Sequence, residues 1–177
     1  FLGDNGTSNN VAVPPYSRGR VKGSVYQGGV NVPLIVSGPD VARNATSDAL
    51  INSSDLFATI LDMAELDVSD AVPDGVATDS VSFLPVLADP SLPGAREWVY
   101  ADVFRGSFEG VEGADYAIAN ERYKLLRVSG ELELYDLAED PFERVNLLEG
   151  TLTEQERSAW ERLGTEVRQL RNSEYGP

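Results

Sequence analysis

Apolar positions are spaced differently along the chain, and each spacing predicts a different element. Phe1-Leu2 run into the turn-rich Gly3-Asp4-Asn5-Gly6 and read as the end of a buried strand whose earlier residues precede the chain. Thr7 to Ser17 is mostly polar, contains Pro14-Pro15 and reads as a surface loop. Val30 to Ser37 is a near-continuous apolar run stopped by Gly38-Pro39, the pattern of a strand covered on both faces in a parallel sheet. After the cap candidates Ser53, Ser54 and Asp55, the residues Leu56, Phe57, Ile60, Leu61 and Ala64 recur at helical spacing. Residues 67 to 96 are rich in loop signals, with Pro73, Pro85, Pro90 and Pro93, and make the best boundary.

Beyond that boundary the period shortens to that of strands. Trp98 to Phe104, Tyr116 to Ala119, Tyr123 to Val128 and Leu132 to Leu137 predict a small antiparallel sheet, with Ser129-Gly130 joining the last two as a hairpin. Thr153 and Glu156 form a capping-box pattern, and Trp160, Leu163, Val167 and Leu170 then make the stripe of a terminal helix covering one face of the sheet. Trp98 and Trp160 fall within these patterns and read as core. The layout predicts an α/β part over residues 1–95 followed by an α+β subdomain over 96–177.

Composition narrows the chemistry. The 177 residues are 42% hydrophobic, enough for a sizeable core, and contain neither cysteine nor histidine. Thiolate nucleophiles, disulfides and imidazole bases are therefore excluded, leaving carboxylates, amides, Lys, Arg, Tyr and hydroxyls. A net charge of −15 argues against nucleic acid as a partner, and no apolar run approaches the roughly 20 residues that span a bilayer. The charge is unevenly placed, residues 1–47 setting Arg18, Arg20, Lys22 and Arg43 against Asp4 and Asp40 alone: either the acidic surface simply keeps the protein in solution, or only this N-terminal stretch faces an anion.

Within that stretch, Asp4 and Asn5 offer a carboxylate and an amide oxygen, the donor types that suit a hard cation such as Ca2+. Both reach one ion only where the strand ends and bends, which Gly3 and Gly6 permit. Lys22, ahead of Gly23, Gly28 and Gly29, presents a compact positive charge to an anion whose charge shifts in a transition state. Taken singly, an Asx turn explains the first feature and a solvated lysine the second. Asp136, Asp140 and Glu143 could hold a cation, but a turn with Asp140 before Pro141 explains them more simply.

In order, Asp4-Asn5-Gly6, Lys22 and Tyr26-Gln27-Gly28-Gly29-Val30-Asn31-Val32-Pro33-Leu34-Ile35-Val36-Ser37-Gly38-Pro39 closely resemble the C-terminal half of the sulfatase catalytic domain. The likeness continues through Ser54 to Leu61 and Asp79 to Pro85, then Tyr123-Lys124-Leu125 and Glu133 to Leu147. It implies the closing part of an alkaline-phosphatase-like α/β core over residues 1–95, with a C-terminal subdomain over 96–177. Asp4 and Asn5 would be two of the calcium ligands, and Lys22 the lysine that contacts sulfate. The remaining ligands and the formylglycine nucleophile would lie on an upstream part of the same protein.

The implied partner is a sulfate ester, either a small molecule or a sulfated glycan. The resemblance favours a periplasmic or secreted location, which the sequence itself leaves open. Gln27 stands where the family usually has Glu, and Asn31 where Arg is frequent, so amide hydrogen bonds are expected to replace a supporting salt bridge. A phosphodiesterase or phosphonate monoester hydrolase on the same scaffold, or a non-catalytic binding module, are the alternatives.

Overall fold

The computed structural model describes residues 1–103 and 114–175, with side chains as far as residue 171. The chain divides into two compact units: Phe1–Leu34 with Tyr100–Pro177, and Ile35–Val99. The sequence reading divides the chain at residue 95. The N-terminal residues, however, group with the sheet, because its strands bond directly to the segment around Tyr26 and Gln27.

In the first unit a four-stranded sheet runs in the order β1 (Val99–Val103), β2 (Asp115–Ala119), β3 (Tyr123–Val128), β4 (Glu131–Asp136). β2 pairs antiparallel with β3, and β3 with β4, in registers that include Ala117 opposite Leu126 and Lys124 opposite Tyr135. These strands match the four expected apart from the ends; Phe104, expected in the first, lies outside the described residues. The β3–β4 turn falls at Ser129 (φ 51°) and Gly130 (φ 91°), both in the positive-φ region that tight hairpins need.

Both faces of this sheet are covered, so the simple buried-exposed alternation is lost and β2 is buried throughout. One face carries the helix α5 (Glu154–Tyr175), which packs on β3 and β2 and buries Ala159, Leu163 and Val167. Its capping box forms as expected: the Thr153 N–H donates to Glu156 Oε2 (2.7 Å), and the Glu156 N–H to Thr153 Oγ1 (3.3 Å). On the opposite face Ala117, Leu126 and Tyr135 form one cluster with Val25 and Tyr26, which immediately precede the short helix α1 (Gln27–Val30).

The apolar run from Val30 to Ser37 does not form the expected parallel-sheet strand. Leu34 makes an isolated antiparallel bridge with Leu2, and Ile35 is 62% exposed. A strand exists only through a partner's ladder, and among the described residues Leu2 is what pairs with this run. Phe1 and Leu2, read as the end of a buried strand, are likewise exposed.

The second unit is built on α2 (Asp55–Met63), followed by α3 (Val68–Ala71) and α4 (Leu84–Ala88). α2 begins where the sequence places it, but the buried positions are Asp55, Ala58 and Thr59, while Phe57 and Ile60 face out. The reason is polar. Arg96 forks onto the Asp55 carboxylate through Nε and Nη2, and the N–H groups of Asn52 (2.8 Å) and Val81 (2.9 Å) donate to the same group. Thr59 Oγ1 donates to the Asp55 carbonyl and accepts from the Phe83 N–H, which turns this face of the helix inward. Among the described residues, no helix is long and apolar enough to cross a membrane.

Candidate functional site

The Asp4-Asn5-Gly6 turn and the Lys22 loop are joined through backbone. The Gly3 N–H donates to the Pro33 carbonyl (3.0 Å), the Gly6 N–H to the Gly29 carbonyl (3.1 Å) and the Lys22 N–H to the Thr7 carbonyl (2.9 Å). The contact is so close that a Cβ on Gly6 would sit 2.0 Å from the Gly28 oxygen, and one on Gly29 would sit 2.2 Å from the Ser24 oxygen. Only hydrogen fits at these positions, which explains why the sequence places glycine where the two segments meet.

Lys22 is exposed, yet its loop is anchored. Val21 and Val25 are at most 1% exposed, and the Ser24 hydroxyl donates to the Val21 carbonyl (2.7 Å). The buried neighbours fix the backbone and leave the ammonium in solvent. Asp4 and Asn5 are exposed as well, and among the described residues no hydrogen bond or ion pair engages the side chains of Asp4, Asn5 or Lys22. The turn thus offers two free oxygen donors of the type a hard cation takes, fewer than the six to eight such an ion collects. Among the described residues, no group of three or more carboxylates is placed to hold a metal.

Below the loop lies a polar layer. Tyr26 and Tyr135 both donate through their hydroxyls to the Glu133 carboxylate at 2.8–2.9 Å, and the Arg20 guanidinium lies 4.3 Å from the Tyr26 ring centroid. Burial pushes both phenol pKa values up, and the bonds to Glu133 push them further, so both remain donors. Beside them Lys124 Nζ donates to Glu143 Oε1 (2.7 Å) and Gln27 Oε1 (3.1 Å), and the Gln27 N–H donates to Glu143 Oε2 (2.6 Å). Burial lowers the Lys124 pKa against the raising pull of Glu143.

Sequence reasoning singled out Asp4, Asn5 and Lys22 as candidates, assigned no role to Lys124 or Glu133, and read Glu143 as part of an acidic turn. The signal for Lys124 was present: it stands between Tyr123 and Leu125-Leu126 in a strand rich in apolar residues, where a buried lysine needs a partner. The acidic cluster behaves as the turn reading expects. Asp140 accepts the Arg144 and Val145 N–H groups, Asp136 pairs with Arg122, and Glu143 pairs inward with Lys124. The amide support expected from Gln27 is the bond it accepts from Lys124.

A family model for the C-terminal part of N-sulphoglucosamine sulphohydrolase matches residues 21–173. The chain belongs to the sulfatase family. Arylsulfatase K of Gallus gallus is 28% identical to this sulfatase chain over 151 residues, covering 80% of it and 26% of the relative. Arylsulfatase G of Homo sapiens is 30% identical over 121 residues, covering 68% and 22%. The chain therefore spans about a quarter of the length of these two curated relatives.

Among solved structures, a putative sulfatase from Bacteroides thetaiotaomicron aligns with a TM-score of 0.60 at 26% identity, over 83% of this chain and 30% of that one. The structure of BT4656 in complex with its substrate D-glucosamine-2-N,6-O-disulfate aligns at 0.66 and 24% identity, over 86% and 31%, and shows the shared fold. A phosphonate monoester hydrolase from Silicibacter pomeroyi aligns at 0.57 and 21% identity, over 85% and 30%, and shows that the same fold occurs there. These likenesses support the expected fold class: a sulfatase α/β architecture ending in an antiparallel sheet and a C-terminal helix.

Proposed function

We propose that this chain is the C-terminal part of a sulfatase that hydrolyses sulfate esters of small molecules or glycans, and that it is inactive alone. The observation that carries the reading is the backbone knot of Asp4-Asn5-Gly6 against the Lys22 loop, because it keeps two oxygen donors and an ammonium on neighbouring, anchored segments. Asp4 and Asn5 would supply part of a Ca2+ coordination sphere. Ca2+, when bound, supplies positive charge that offsets the sulfuryl oxygens. Lys22 would donate to a sulfate oxygen whose negative charge grows as the ester bond breaks, a stabilisation that strengthens where water is excluded. The nucleophile, a formylglycine, would come from upstream polypeptide that also supplies the other ligands. In such a protein residues 1–95 would close the catalytic domain and 96–177 would form the appended subdomain.

The test is to express the full-length protein and compare turnover of an aryl sulfate with an aryl phosphodiester. Preference for the sulfate is expected, with Lys22→Ala lowering kcat about 100- to 1,000-fold. Preference for phosphorus would replace the sulfatase activity with the phosphonate or phosphodiester reading, which the shared fold of the phosphonate monoester hydrolase favours as second choice. Tight Ca2+ binding by residues 1–177 alone would contradict the partial ligand set.

A further inference from the structure

The Lys22 loop is gripped from beneath by a residue more than a hundred positions away. Glu143 is 2% exposed and has a φ of 56°, in the left-handed region that side chains other than glycine seldom occupy. Its carbonyl accepts from the Arg20 guanidinium, and its carboxylate accepts the Gln27 N–H at 2.6 Å and the Lys124 ammonium at 2.7 Å. Lys124, 1% exposed, bridges from there to Gln27 Oε1 at 3.1 Å. Glu143 thus holds the loop at both ends, residue 20 and residue 27, with Lys22 and Gly23 between the two grips.

A buried ion pair is a poor source of net stability, since well-packed apolar side chains do as well or better. Here the pair's further hydrogen bonds, from the Gln27 N–H and to the Gln27 side chain, run to the loop rather than to the sheet or to α5. An uncommon backbone conformation kept at the point of contact fits a residue fixed by what it must hold. We infer that Glu143 and Lys124 are positioning residues: through Gln27 and Arg20 they set the placement of Lys22, so the C-terminal sheet takes part in the reaction without touching substrate. This rests on the reading of Lys22 given above.

A double-mutant cycle in the full-length protein tests it, with aryl sulfate turnover measured for wild type, Lys22→Ala, Glu143→Gln and both together. Glu143→Gln keeps the volume and an oxygen for the Gln27 N–H but removes the charge that holds Lys124. The expected result is a fall in kcat of about 10-fold or more with KM changed less than about twofold, and almost no further fall in the Lys22→Ala background. Equal fold losses in both backgrounds would overturn the inference, because a general loss of folded protein is blind to Lys22. Should Glu143→Gln fail to fold, Gln27→Ala, which removes only the Lys124 acceptor, takes its place in the cycle: a kcat loss confined to the Lys22 background supports positioning, and equal losses in both overturn it.

Hydrogen exchange gives a readout independent of activity. Amides of residues 20–27 should exchange faster in Glu143→Gln while those of β3 and β4 stay protected, and equal acceleration in both regions would count against positioning. If Lys22→Ala leaves kcat unchanged, the reading of Lys22 fails and the inference with it. If Lys22→Ala matters and Glu143→Gln is additive, the inference alone fails.

Discussion

Asp55 and Arg96 pair inside Ile35–Val99, while Lys124 and Glu143 pair inside the unit built from Phe1–Leu34 and Tyr100–Pro177. Both carboxylates are 2% exposed, so burial does not distinguish them. Their bonds do. Arg96 saturates Asp55 with a planar fork, and the N–H groups that complete the set belong to Asn52 and Val81, which close the start of α2 onto a nearby loop. Lys124 carries a point charge that one carboxylate oxygen does not use up. Its remaining bond and the other Glu143 oxygen both go to Gln27. The first pair is a fastening within a fold; the second is a joint between a sheet and a loop that bears Lys22.

Removing one partner of the first pair is the strongest test of that contrast. Asp55→Ala removes the acceptor shared by Arg96 and the Asn52 and Val81 N–H groups, leaving Arg96 Nη2 its bond to the Asp79 carbonyl, and should cost about 3–5 kcal/mol in urea unfolding. Turnover per folded molecule should stay unchanged; a kcat loss that disappears in a Lys22→Ala background would erase the difference between the pairs. At the second pair, Lys124→Met with Glu143→Leu removes both charges and leaves the Gln27 N–H unpaired, a cost of about 1–3 kcal/mol. Glu143→Leu alone should cost more, because it strands the Lys124 ammonium in the core. A double variant less stable than that single one would mean that the charges are not coupled.

Acid sharpens the comparison further. Burial pushes the Asp55 carboxyl up, but the hydrogen bonds from Arg96, Val81 and Asn52 override it and hold its pKa below the ordinary carboxylate range. A folded pKa below the unfolded one contributes stability that is complete above about pH 4 and drains away as pH falls through the depressed value. Unfolding midpoints measured down that range should fall in the wild type, with a shallower slope in Asp55→Asn. The smallest effect sets the scale. Thr153→Ala removes the acceptor at the start of α5, which bonds to neither pair, and should cost about 1 kcal/mol by urea titration with kcat unaltered.

Much of this was legible because some elements carry their own instructions. The strands Tyr123–Val128 and Glu131–Asp136 are short runs carrying apolar residues on either side of Ser129-Gly130, and the Thr153–Glu156 box precedes a helical stripe, so neighbours in sequence suffice to specify them. The run from Val30 to Ser37 reads equally well as a strand, but no local signal says whether a partner exists to pair with it. The outward turn of Phe57 and Ile60 was invisible for the same kind of reason, since Arg96, 41 residues from Asp55, decides which face of α2 is buried.

The same division runs through the candidate site. Side-chain chemistry and glycine spacing made Asp4, Asn5 and Lys22 candidates, and the order of motifs resembling the sulfatase family gave them roles, because both are properties of short segments. What holds them was decided by folding. The grip of Glu143 on residues 20 and 27 joins positions 123 and 116 apart, and the Gly6–Gly29 knot closes because two backbones meet with no room for a Cβ. A periodicity records which face of an element is apolar, whereas a buried charge records its partner only once the chain has brought the two together.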